Sequence, residues 1–480
     1  MRFLSVGPRL IVVVALGGLC LIAASQILAD GPPPGRVVAD SEIRTMLTER
    51  VARRQSVGIV VGIIEPQGRR IVAYGTRDLV DRQPVSGDTV FEIGSITKVF
   101  TSLILADMVR RGEVALDDPV AKYLPPDVRV PERKGRKITL VHLATHMSGL
   151  PREALNFQPV WENWESGYSE RALYEFLGSH QLAGDIGSEQ EYSNLGVSLL
   201  AIALARRAAM DFETLVRTRI EDPLGLERTG WSPTPDVMSR LAPGHVYTLD
   251  PAPGTNLRVF AGAGGLRSTA NDLLQLLAAQ LGYERTPLEP AMAAMLKVKV
   301  NLMPPVVRLV LRGQFQHLGW METGGLIFHS GGTPGYRSFI GFDPGRRLGV
   351  VVLSNVAATA GVDDIGMHLL NPRLPLLAGD ALQPPKPRQE ISVQADVLER
   401  YVGRYDYSAT DWITVTRAGD QLFIGGSGYP TVRFYPESDV AFFAKTFDEQ
   451  IVFKVDREAR VIEALDTGGG GDPKVYKRIR

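Results

Sequence analysis

The hydrophobic positions after residue 95 follow the spacing of a buried helix. Apolar side chains recur mostly three or four residues apart, at Ile96, Val99, Phe100, Leu103, Leu105 and Met108. This spacing places them on one face of an α-helix, and a glycine such as Gly112 commonly ends one. The pattern therefore predicts a packed helix that begins beside Ser95 and closes at Gly112.

Strand-like segments occur in two groups that lie far apart in the chain. They are Val57–Ile64 and Arg70–Tyr74 in the first group, and Leu326–His329, Arg337–Phe342 and Leu348–Leu353 in the second. A short amphipathic helix is predicted at residues 40–54, and helical patterns and loops dominate from about residue 95 to 320. We predict an α+β domain with one sheet built from both groups and a helical region inserted between them.

The pattern changes after a proline-rich stretch that holds Pro372, Pro375, Pro384, Pro385 and Pro387. Short alternating runs follow, at Trp412–Thr416, Gln421–Ile424, Val432–Tyr435, Val440–Ala444, Ile451–Val455, Val461–Leu465 and Val475–Ile479. About seven such strands predict a small antiparallel barrel or sandwich. We therefore predict a first domain at residues 30–371, a linker at 372–390 and an all-β domain at 391–480.

The N-terminus has the pattern of a secretory signal peptide at residues 1–29. Arg2 and Arg9 precede an apolar run from Leu10 to Ala24, and small Ala29 precedes Asp30. The run is shorter than the roughly 20 residues that span a bilayer, so cleavage is favoured over an uncleaved anchor. The pattern predicts a periplasmic or secreted protein without a stable membrane span after cleavage.

The composition argues against several classes of function. Cys20, the only cysteine, lies in the predicted signal, so the mature chain would have no disulfide, catalytic thiol or cysteine-bound zinc. Without the two signal arginines the 53 basic residues become 51, and 51 − 53 gives a net charge of −2. No basic stripe interrupts this balance, so nucleic-acid binding has no electrostatic support.

The chemistry begins with Ser95 and Lys98, the only Ser-x-x-Lys in the chain. Residues three apart share one face of a helix, so the lysine amine can lie beside the serine hydroxyl. A serine hydroxyl needs a base to become a nucleophile, and an amine buried against apolar side chains loses some of its preference for charge. The pair therefore predicts a serine acyl-transfer enzyme.

Two further segments add candidate site residues. Tyr192 and Asn194 belong to the sequence Glu-Tyr-Ser-Asn at 191–194, where Ser193 or Asn194 would equally serve as a helix N-cap. The sequence His-Ser-Gly-Gly at 329–332, taken alone, would be a turn between two strands. Both segments thus allow a purely structural interpretation.

Together, Ser-x-x-Lys, Tyr-x-Asn and His-Ser-Gly resemble, in this order, the active-site motifs of the class C β-lactamase and DD-carboxypeptidase family. Similar stretches occur at 111–125 (RGEVALDDPVAKYLP), 138–151 (ITLVHLATHMSGLP) and 335–355 (GYRSFIGFDPGRRLGVVVLSN). The resemblance covers roughly residues 40 to 370. Many class C β-lactamases have lysine where this chain has His329, which leaves the substrate open.

The resemblance implies a role for each motif residue. Ser95 would form an acyl-enzyme, Lys98 and Tyr192 would move its proton, and Asn194 would hold the Lys98 amine and a substrate amide. The backbone N–H groups of Ser95 and Gly332 would form the oxyanion hole. His329 and Ser330 would orient a substrate carboxylate. Gly331 and Gly332, which follow them, would complete the substrate-binding segment. No metal or organic cofactor is required.

Three functions fit this resemblance. The first is hydrolysis of β-lactams or D-alanyl peptides, with peptidoglycan as a further candidate partner. The second is a carboxylesterase on the same scaffold, and the third is a penicillin-binding sensor that is acylated and stalls. The absence of Gly-x-Ser-x-Gly from the sequence argues against an α/β-hydrolase.

Three other features have alternative interpretations. His142 and His146 have the i, i+4 spacing of metal ligands but lack an accompanying carboxylate pattern. The glycine-rich residues 262–265 precede a helix without a P-loop lysine, which favours a helix-entry turn over a phosphate site. Trp161, Trp164 and Tyr168 would line a cleft or cover the core.

Overall fold

The structure is a computed structural model. It describes residues 38–157, 168–231, 234–255, 257–302, 314–358, 360–382, 388–408, 411–426, 429–456, 460–467 and 473–479. The predicted signal peptide at 1–29, and with it Cys20, lies outside the described residues, as do Trp161 and Trp164.

The helices are distributed along most of the chain. They are α1 (Asp40–Ala52), α2 (Thr97–Arg110), α3 (Leu140–Ala144), α4 (Glu170–Ser179), α5 (Asn194–Ala208), α6 (Phe212–Val216), α7 (Asp222–Leu224), α8 (Pro235–Ser239), α9 (Ala261–Gly264), α10 (Ala270–Gln280), α11 (Glu289–Lys297), α12 (Asp363–Leu370) and α13 (Ala395–Glu399). Short 3₁₀ turns lie at Gly94–Ile96, Val120–Tyr123, Arg258–Phe260 and Gly379–Leu382, and a π turn at Arg217–Glu221.

The strands form two groups. Those before residue 360 are β1 (Gly58–Glu65), β2 (Gly68–Gly75), β3 (Phe91–Glu92), β4 (Arg267–Ser268), β5 (Val300–Asn301), β6 (Gln314–Gln316), β7 (Met321–Thr323), β8 (Leu326–Thr333), β9 (Tyr336–Asp343) and β10 (Leu348–Ser354). Those after residue 400 are β11 (Gly403–Asp406), β12 (Trp412–Ala418), β13 (Gln421–Gly426), β14 (Tyr429–Pro436), β15 (Ala441–Ala444), β16 (Gln450–Val455), β17 (Val461–Asp466) and β18 (Lys474–Arg478).

An antiparallel sheet joins the two ends of the first part of the chain. Its strand order is β2-β1-β10-β9-β8-β7-β6-β5, and Val61 of β1 lies opposite Val352 of β10. Strands from the N-terminal group therefore pair directly with strands from the far end of the helical region. The predicted architecture, one sheet with an inserted helical region, is confirmed.

The sheet separates two apolar cores because side chains alternate between its faces. Ile59 and Val61 of β1 point to a core shared with α1 and α12. Val60 and Ile64 point instead to the larger core, which includes the helical region. Every strand in the centre of the sheet is thus covered on both sides.

Helix α2 lies in the middle of the larger core. Its residues from Thr97 to Met108 are all buried, and it packs against α5, α9 and α11. A helix surrounded by other elements on all sides is usually apolar all round. Helix α2 departs from this rule at Lys98, whose side chain is buried with the apolar residues.

The C-terminal strands form a closed antiparallel barrel in the order β11 to β18. Strand β11 pairs with both β12 and β18 and so closes the ring. The barrel has its own apolar core, and the end of β15 contacts the first part of the chain. There, the Tyr247 hydroxyl donates a hydrogen bond of 2.9 Å to the carbonyl oxygen of Ala444. Of the two predicted β architectures, barrel and sandwich, the chain adopts the barrel.

The proline-rich stretch contacts both parts of the chain. Gln55 Nε2 donates a hydrogen bond to the Leu382 carbonyl oxygen, and Arg388 forms an ion pair with Glu437 of the barrel. Pro384, Pro385 and Pro387 lie outside the described residues. The domain boundaries given above stay predictions. Among the residues that the structure describes, no helix has the length and apolar character needed to cross a membrane.

The sequence pattern does not predict several short strands. Strands β5, β6 and β7 have only two or three residues each, and β11 has four. Alternation cannot be recognised over so few positions. The predicted second group of strands, which begins at Leu326, is therefore incomplete, because short pairings extend the sheet beyond β8.

The packing of α12 on the sheet gives a stability prediction. A Cβ atom on Gly366 would lie 2.1 Å from Phe339 Cδ1, so this helix can approach β9 only with glycine there. We expect Gly366→Ala to lower the free energy of unfolding by about 1–3 kcal/mol through overpacking. Chemical denaturation measures the change.

Gly178 of α4 is the matched control, because a Cβ atom there would meet no heavy atom within 4 Å. Replacing a helical glycine by alanine in open space stabilises by roughly 0.5–1 kcal/mol. Equal effects of Gly366→Ala and Gly178→Ala would contradict the close packing of α12 on β9.

Candidate active site

Ser95 lies in a tight turn between β3 and α2. The turn begins at Gly94, whose φ is +50°, a left-handed conformation that favours glycine. A Cβ atom on Gly94 would also lie 2.7 Å from the backbone nitrogen of Gly332. Glycine at position 94 therefore lets the Ser95 turn approach the backbone of β8 closely.

Lys98 follows one helical turn later and is 1% exposed. Its Nζ atom lies 2.9 Å from Ser95 Oγ, 2.7 Å from Asn194 Oδ1 and 2.6 Å from the carbonyl oxygen of Ala263. These three oxygens come from the start of α2, from α5 and from α9. The helical region thus encloses the amine and satisfies it completely.

The protonation of Lys98 decides what this geometry can do. Burial lowers the pKa of the amine, although Tyr192 and Glu153 act in the opposite direction. A neutral amine has two N–H groups and one lone pair. The oxygens of Asn194 and Ala263 only accept, so they take both N–H groups and leave the lone pair facing Ser95 Oγ. In this state Lys98 is placed as a base for the serine.

Tyr192 approaches Ser95 from the other side. Its hydroxyl donates a 2.8 Å hydrogen bond to Ser95 Oγ. The ring lies against His146 with 4.4 Å between centroids, and Lys98 Nζ and Arg152 Cζ lie 4.9 Å and 5.2 Å from its centroid. The phenol is therefore fixed in position by contacts on several sides.

The start of α5 provides both a helix N-cap and a candidate site residue. Ser193 is the N-cap, because its Oγ accepts a 2.8 Å hydrogen bond from the Gly196 N–H. Asn194, the next residue, turns its side chain toward Lys98. The structural interpretation is correct for Ser193, and the structure brings Asn194 together with Lys98 and Ser95.

Glu153 is a neighbour of this cluster that sequence reasoning missed. Asn194 Nδ2 donates a 2.6 Å hydrogen bond to Glu153 Oε1. Burial raises the pKa of the Glu153 carboxyl to about 7, against the opposite effects of Asn194, Arg152 and Lys98. Glu153 comes two residues after the family-like stretch 138–151, and only that proximity signals it in the sequence.

The His-Ser-Gly-Gly segment lies within strand β8 and is not a turn. Its side chains alternate between the faces of the sheet. His329 is buried on the side of Lys98, whereas Ser330 forms a hydrogen bond with Asp363 of α12. A Cβ atom on Gly331 would lie 2.0 Å from the Ile93 carbonyl oxygen, so this glycine provides close approach to the Ser95 turn.

The buried environment of His329 affects its protonation. Burial, together with the nearby Lys98, lowers the pKa of the imidazole to about 3. Its Nδ1 atom lies 2.7 Å from the carbonyl oxygen of Ser330, which only accepts, so Nδ1 carries the proton. A neutral ring of this tautomer presents an acceptor at Nε2 and has no donor there for a carboxylate. The role of His329 and Ser330 in orienting a substrate carboxylate stays a prediction.

The histidine pair considered for a metal has other partners. His142 Nδ1 contacts the Thr139 hydroxyl at 2.8 Å, and His146 Nδ1 accepts a hydrogen bond from the Ser193 N–H at 3.1 Å. Across the described part of the chain, no group of three or more His, Cys, Asp or Glu residues has the arrangement of a metal site. His146 instead anchors the loop before Glu153 to the start of α5.

The glycine-rich turn and Tyr168 also have structural partners. A Cβ atom on Gly262 would lie 2.3 Å from the Ala201 Cβ, so α9 packs tightly against α5. Tyr168 stacks on Phe260 with 5.5 Å between ring centroids. These contacts explain both features by packing, and the carbonyl group of Ala263 in α9 reaches Lys98.

Comparison with known proteins assigns the family. Residues 43–369 match the family model described as Beta-lactamase. The chain is 28% identical over 354 residues to the D-alanyl-D-alanine-carboxypeptidase/endopeptidase AmpH of Escherichia coli K12, covering 70% of this chain and 89% of the relative. It is 24% identical over 365 residues to a β-lactamase of Lysobacter lactamgenus, covering 68% and 89%.

Solved structures agree with this assignment. A class C β-lactamase from Rhodobacter sphaeroides is 26% identical with a TM-score of 0.53, covering 65% of this chain and 93% of that one. A β-lactamase/D-alanine carboxypeptidase from Pseudomonas syringae, at 23% identity, shares the fold with a TM-score of 0.56 over 67% and 95%. The chain therefore belongs to the β-lactamase family and is a serine hydrolase.

Proposed function

We propose that the protein hydrolyses β-lactams or D-alanyl peptides through an acyl-enzyme on Ser95. The observation that carries the proposal is the position of Ser95 Oγ, 2.9 Å from Lys98 Nζ and 2.8 Å from the Tyr192 hydroxyl. A serine with two proton-transfer groups in hydrogen-bond contact is the arrangement that nucleophilic catalysis needs.

The acylation step follows from these contacts. Ser95 Oγ bonds to the acyl carbon while its proton passes to the lone pair of Lys98. The tetrahedral intermediate then collapses, the bond from carbon to the leaving nitrogen breaks, and this nitrogen takes a proton from the Tyr192 hydroxyl. The Lys98 ammonium then returns that proton directly to the Tyr192 phenolate, its side-chain hydrogen-bond partner, so that both groups regain their starting states. Water afterwards cleaves the ester and releases the acid.

The developing negative charge needs two donors on one side of the acyl carbon. The backbone N–H groups of Ser95 and Gly332 are the candidates, because the turn at Gly94 brings the two segments into contact. We propose that this contact forms the oxyanion hole. The periplasm or the extracellular space, indicated by the predicted signal peptide, is the proposed location, and peptidoglycan is a candidate substrate there.

An esterase is the second candidate, and the state of His329 favours it. A neutral imidazole buried beside Lys98 does not attract a substrate carboxylate. Neutral esters do not need that attraction, whereas penicillins and D-alanyl peptides carry a carboxylate. The two candidates share Ser95 and differ in the acyl donor.

Intact-mass analysis after mixing with a penicillin or an activated ester tests the proposal. We expect the wild type to form an adduct and Ser95→Ala to form none, with turnover reduced at least about a thousandfold. A persistent penicillin adduct indicates a peptidase or a sensor, rapid turnover a lactamase, and reaction with the ester alone an esterase. Labelling of Ser95→Ala at the wild-type rate would place the nucleophile elsewhere.

The contact between β8 and the Ser95 turn gives a second prediction. A Cβ atom on Gly331 would lie 2.0 Å from the Ile93 carbonyl oxygen and 2.2 Å from Ser338 Oγ, so Gly331→Ala must push the strand away. We expect acylation to slow by roughly 10- to 100-fold, because small displacements of catalytic groups are costly. Gly184→Ala, in open space, is the control. Equal acylation rates for the two variants would exclude a catalytic contact between these segments.

The neutral state of His329 gives a prediction on stability. Its pKa is about 3 in the folded chain and near 6.5 when unfolded, so below pH 6.5 only the unfolded state takes up the proton. This contribution to stability is present above pH 6.5 and is lost as pH falls toward 3.

We expect the free energy of unfolding of the wild type to fall more steeply with acid than that of His329→Asn, by up to about 1.4 kcal/mol per pH unit. Urea denaturation at several pH values between 7 and 4 measures the two slopes. Parallel slopes would mean that His329 is not held neutral in the folded protein.

A further inference from the structure

The loop that carries Glu153 is attached to the start of α5 by several hydrogen bonds. The carbonyl oxygen of Arg152 accepts from the Asn194 N–H at 2.9 Å and from the Leu195 N–H at 3.1 Å. The Ser193 hydroxyl donates to the Pro151 carbonyl oxygen at 2.6 Å. These contacts with the two residues before Glu153 help to set its position relative to Asn194, which therefore does not depend on the Glu153–Asn194 hydrogen bond alone.

Asn194 lies between a donor and an acceptor. Lys98 Nζ, 2.7 Å from Asn194 Oδ1, offers N–H groups to that oxygen. Ionised Glu153, 2.6 Å from Asn194 Nδ2, offers only acceptors. An asparagine amide can usually be turned over to exchange oxygen and nitrogen, but here the opposite orientation would place acceptor against acceptor at Glu153. The carboxylate thus selects the orientation that presents oxygen to Lys98.

The direction of the Lys98 lone pair depends on that orientation. With the Asn194 oxygen and the Ala263 carbonyl oxygen taking the two N–H groups, the lone pair points at Ser95 Oγ. If the Asn194 NH₂ group faced Lys98 instead, it would compete with the serine for the lone pair. The orientation of the Asn194 amide therefore decides whether the Lys98 lone pair can accept the Ser95 proton or is already taken by a hydrogen bond from Asn194.

Glu153 also has an oxygen without a structural partner. Within the described residues, Glu153 Oε2 is buried and makes no hydrogen bond. Lone buried acceptors are costly, so a carboxyl at this position is not explained by stability. The charged or titratable groups that face Glu153 are Lys98, Arg152 and Tyr168, besides its hydrogen bond to Asn194.

We propose that Glu153 is a positioning residue that fixes the Asn194 amide and thereby directs Lys98 at Ser95. This inference rests on the proposed function, because it assumes that Lys98 acts on Ser95. The negative charge of Glu153 also favours the ammonium form of Lys98, so Glu153 shifts the pH at which Lys98 becomes available as a base. A residue that only supported the loop would have neither effect.

Three variants separate these effects. Glu153→Gln removes the charge but keeps an oxygen that can accept from Asn194, Glu153→Ala removes both, and Glu191→Gln changes an exposed acid beside Tyr192 as a control. The rate of acylation by a penicillin or an activated ester, whichever labels the wild type, is measured from pH 5 to 10. Thermal denaturation shows whether each variant is folded.

We expect Glu153→Gln to move the ascending limb of the acylation profile to lower pH, because the ammonium form of Lys98 loses a favourable charge. Glu153→Ala should acylate about 10- to 100-fold more slowly than the wild type at the optimum, and Glu153→Gln less so. Glu191→Gln should match the wild type. A wild-type profile and rate in both Glu153 variants would overturn the proposal. If Glu153→Ala does not fold, the pH profile of acylation by Glu153→Gln tests the proposal: a wild-type profile would overturn it.

A spectroscopic measurement keeps this result separate from the proposed function. In protein labelled with ¹⁵N-asparagine, the side-chain NH₂ signals of Asn194 are assigned by their loss in Asn194→Asp. We expect them to shift with pH as Glu153 titrates in the wild type and to stay constant in Glu153→Gln. Identical behaviour of the two proteins overturns the role of Glu153, whereas a wild type that no acyl donor labels overturns the proposed function.

Discussion

The burial of the Lys98 amine is the constraint on which the rest of the site depends. A charged group removed from water costs several kcal/mol unless its surroundings compensate, and burial shifts the balance toward the neutral form. The chain meets this cost with acceptors from three elements, namely Ser95, Asn194 and the Ala263 carbonyl. The arrangement of α2, α5 and α9 is therefore tied to the chemistry of one nitrogen atom.

A second constraint joins the helical region to the sheet. Gly94 and Gly331 lie where the Ser95 turn meets β8, and any side chain at either position would collide with the other segment. Ser338 of β9 strengthens the contact by donating a hydrogen bond to the Ile93 carbonyl oxygen at 2.8 Å. Because the serine is carried by one region and the Gly332 amide by the other, this contact determines whether the two can act on the same acyl group.

Much of the fold was predictable because it rests on long, regular patterns. The helix after Ser95, the central strands and the barrel strands each repeat their apolar spacing over enough residues to be recognised. Spacing also indicated that Ser95 and Lys98 share a helical face. The motifs at Tyr192 and His329 needed resemblance to a family, since neither segment has a pattern that excludes a cap or a turn.

The missed features depend on contacts between distant segments. Glu153 becomes important only through Asn194, which is far away in sequence and close in space. The protonation of His329 follows from burial beneath the helical region, and a sequence gives no measure of that burial. Strand β11 is too short to recognise from sequence alone and is defined by its pairing with β12 and β18.

The proposed catalysis requires a Lys98 amine that gives up its proton more readily than an exposed lysine. Nitrogen-15 NMR of protein labelled at lysine Nζ, with the Lys98 signal assigned by its absence in Lys98→Arg, measures this directly. The structure predicts that this signal titrates clearly below the ordinary lysine pKa of about 10.4. Titration at or above the ordinary value would contradict the assignment of Lys98 as the base.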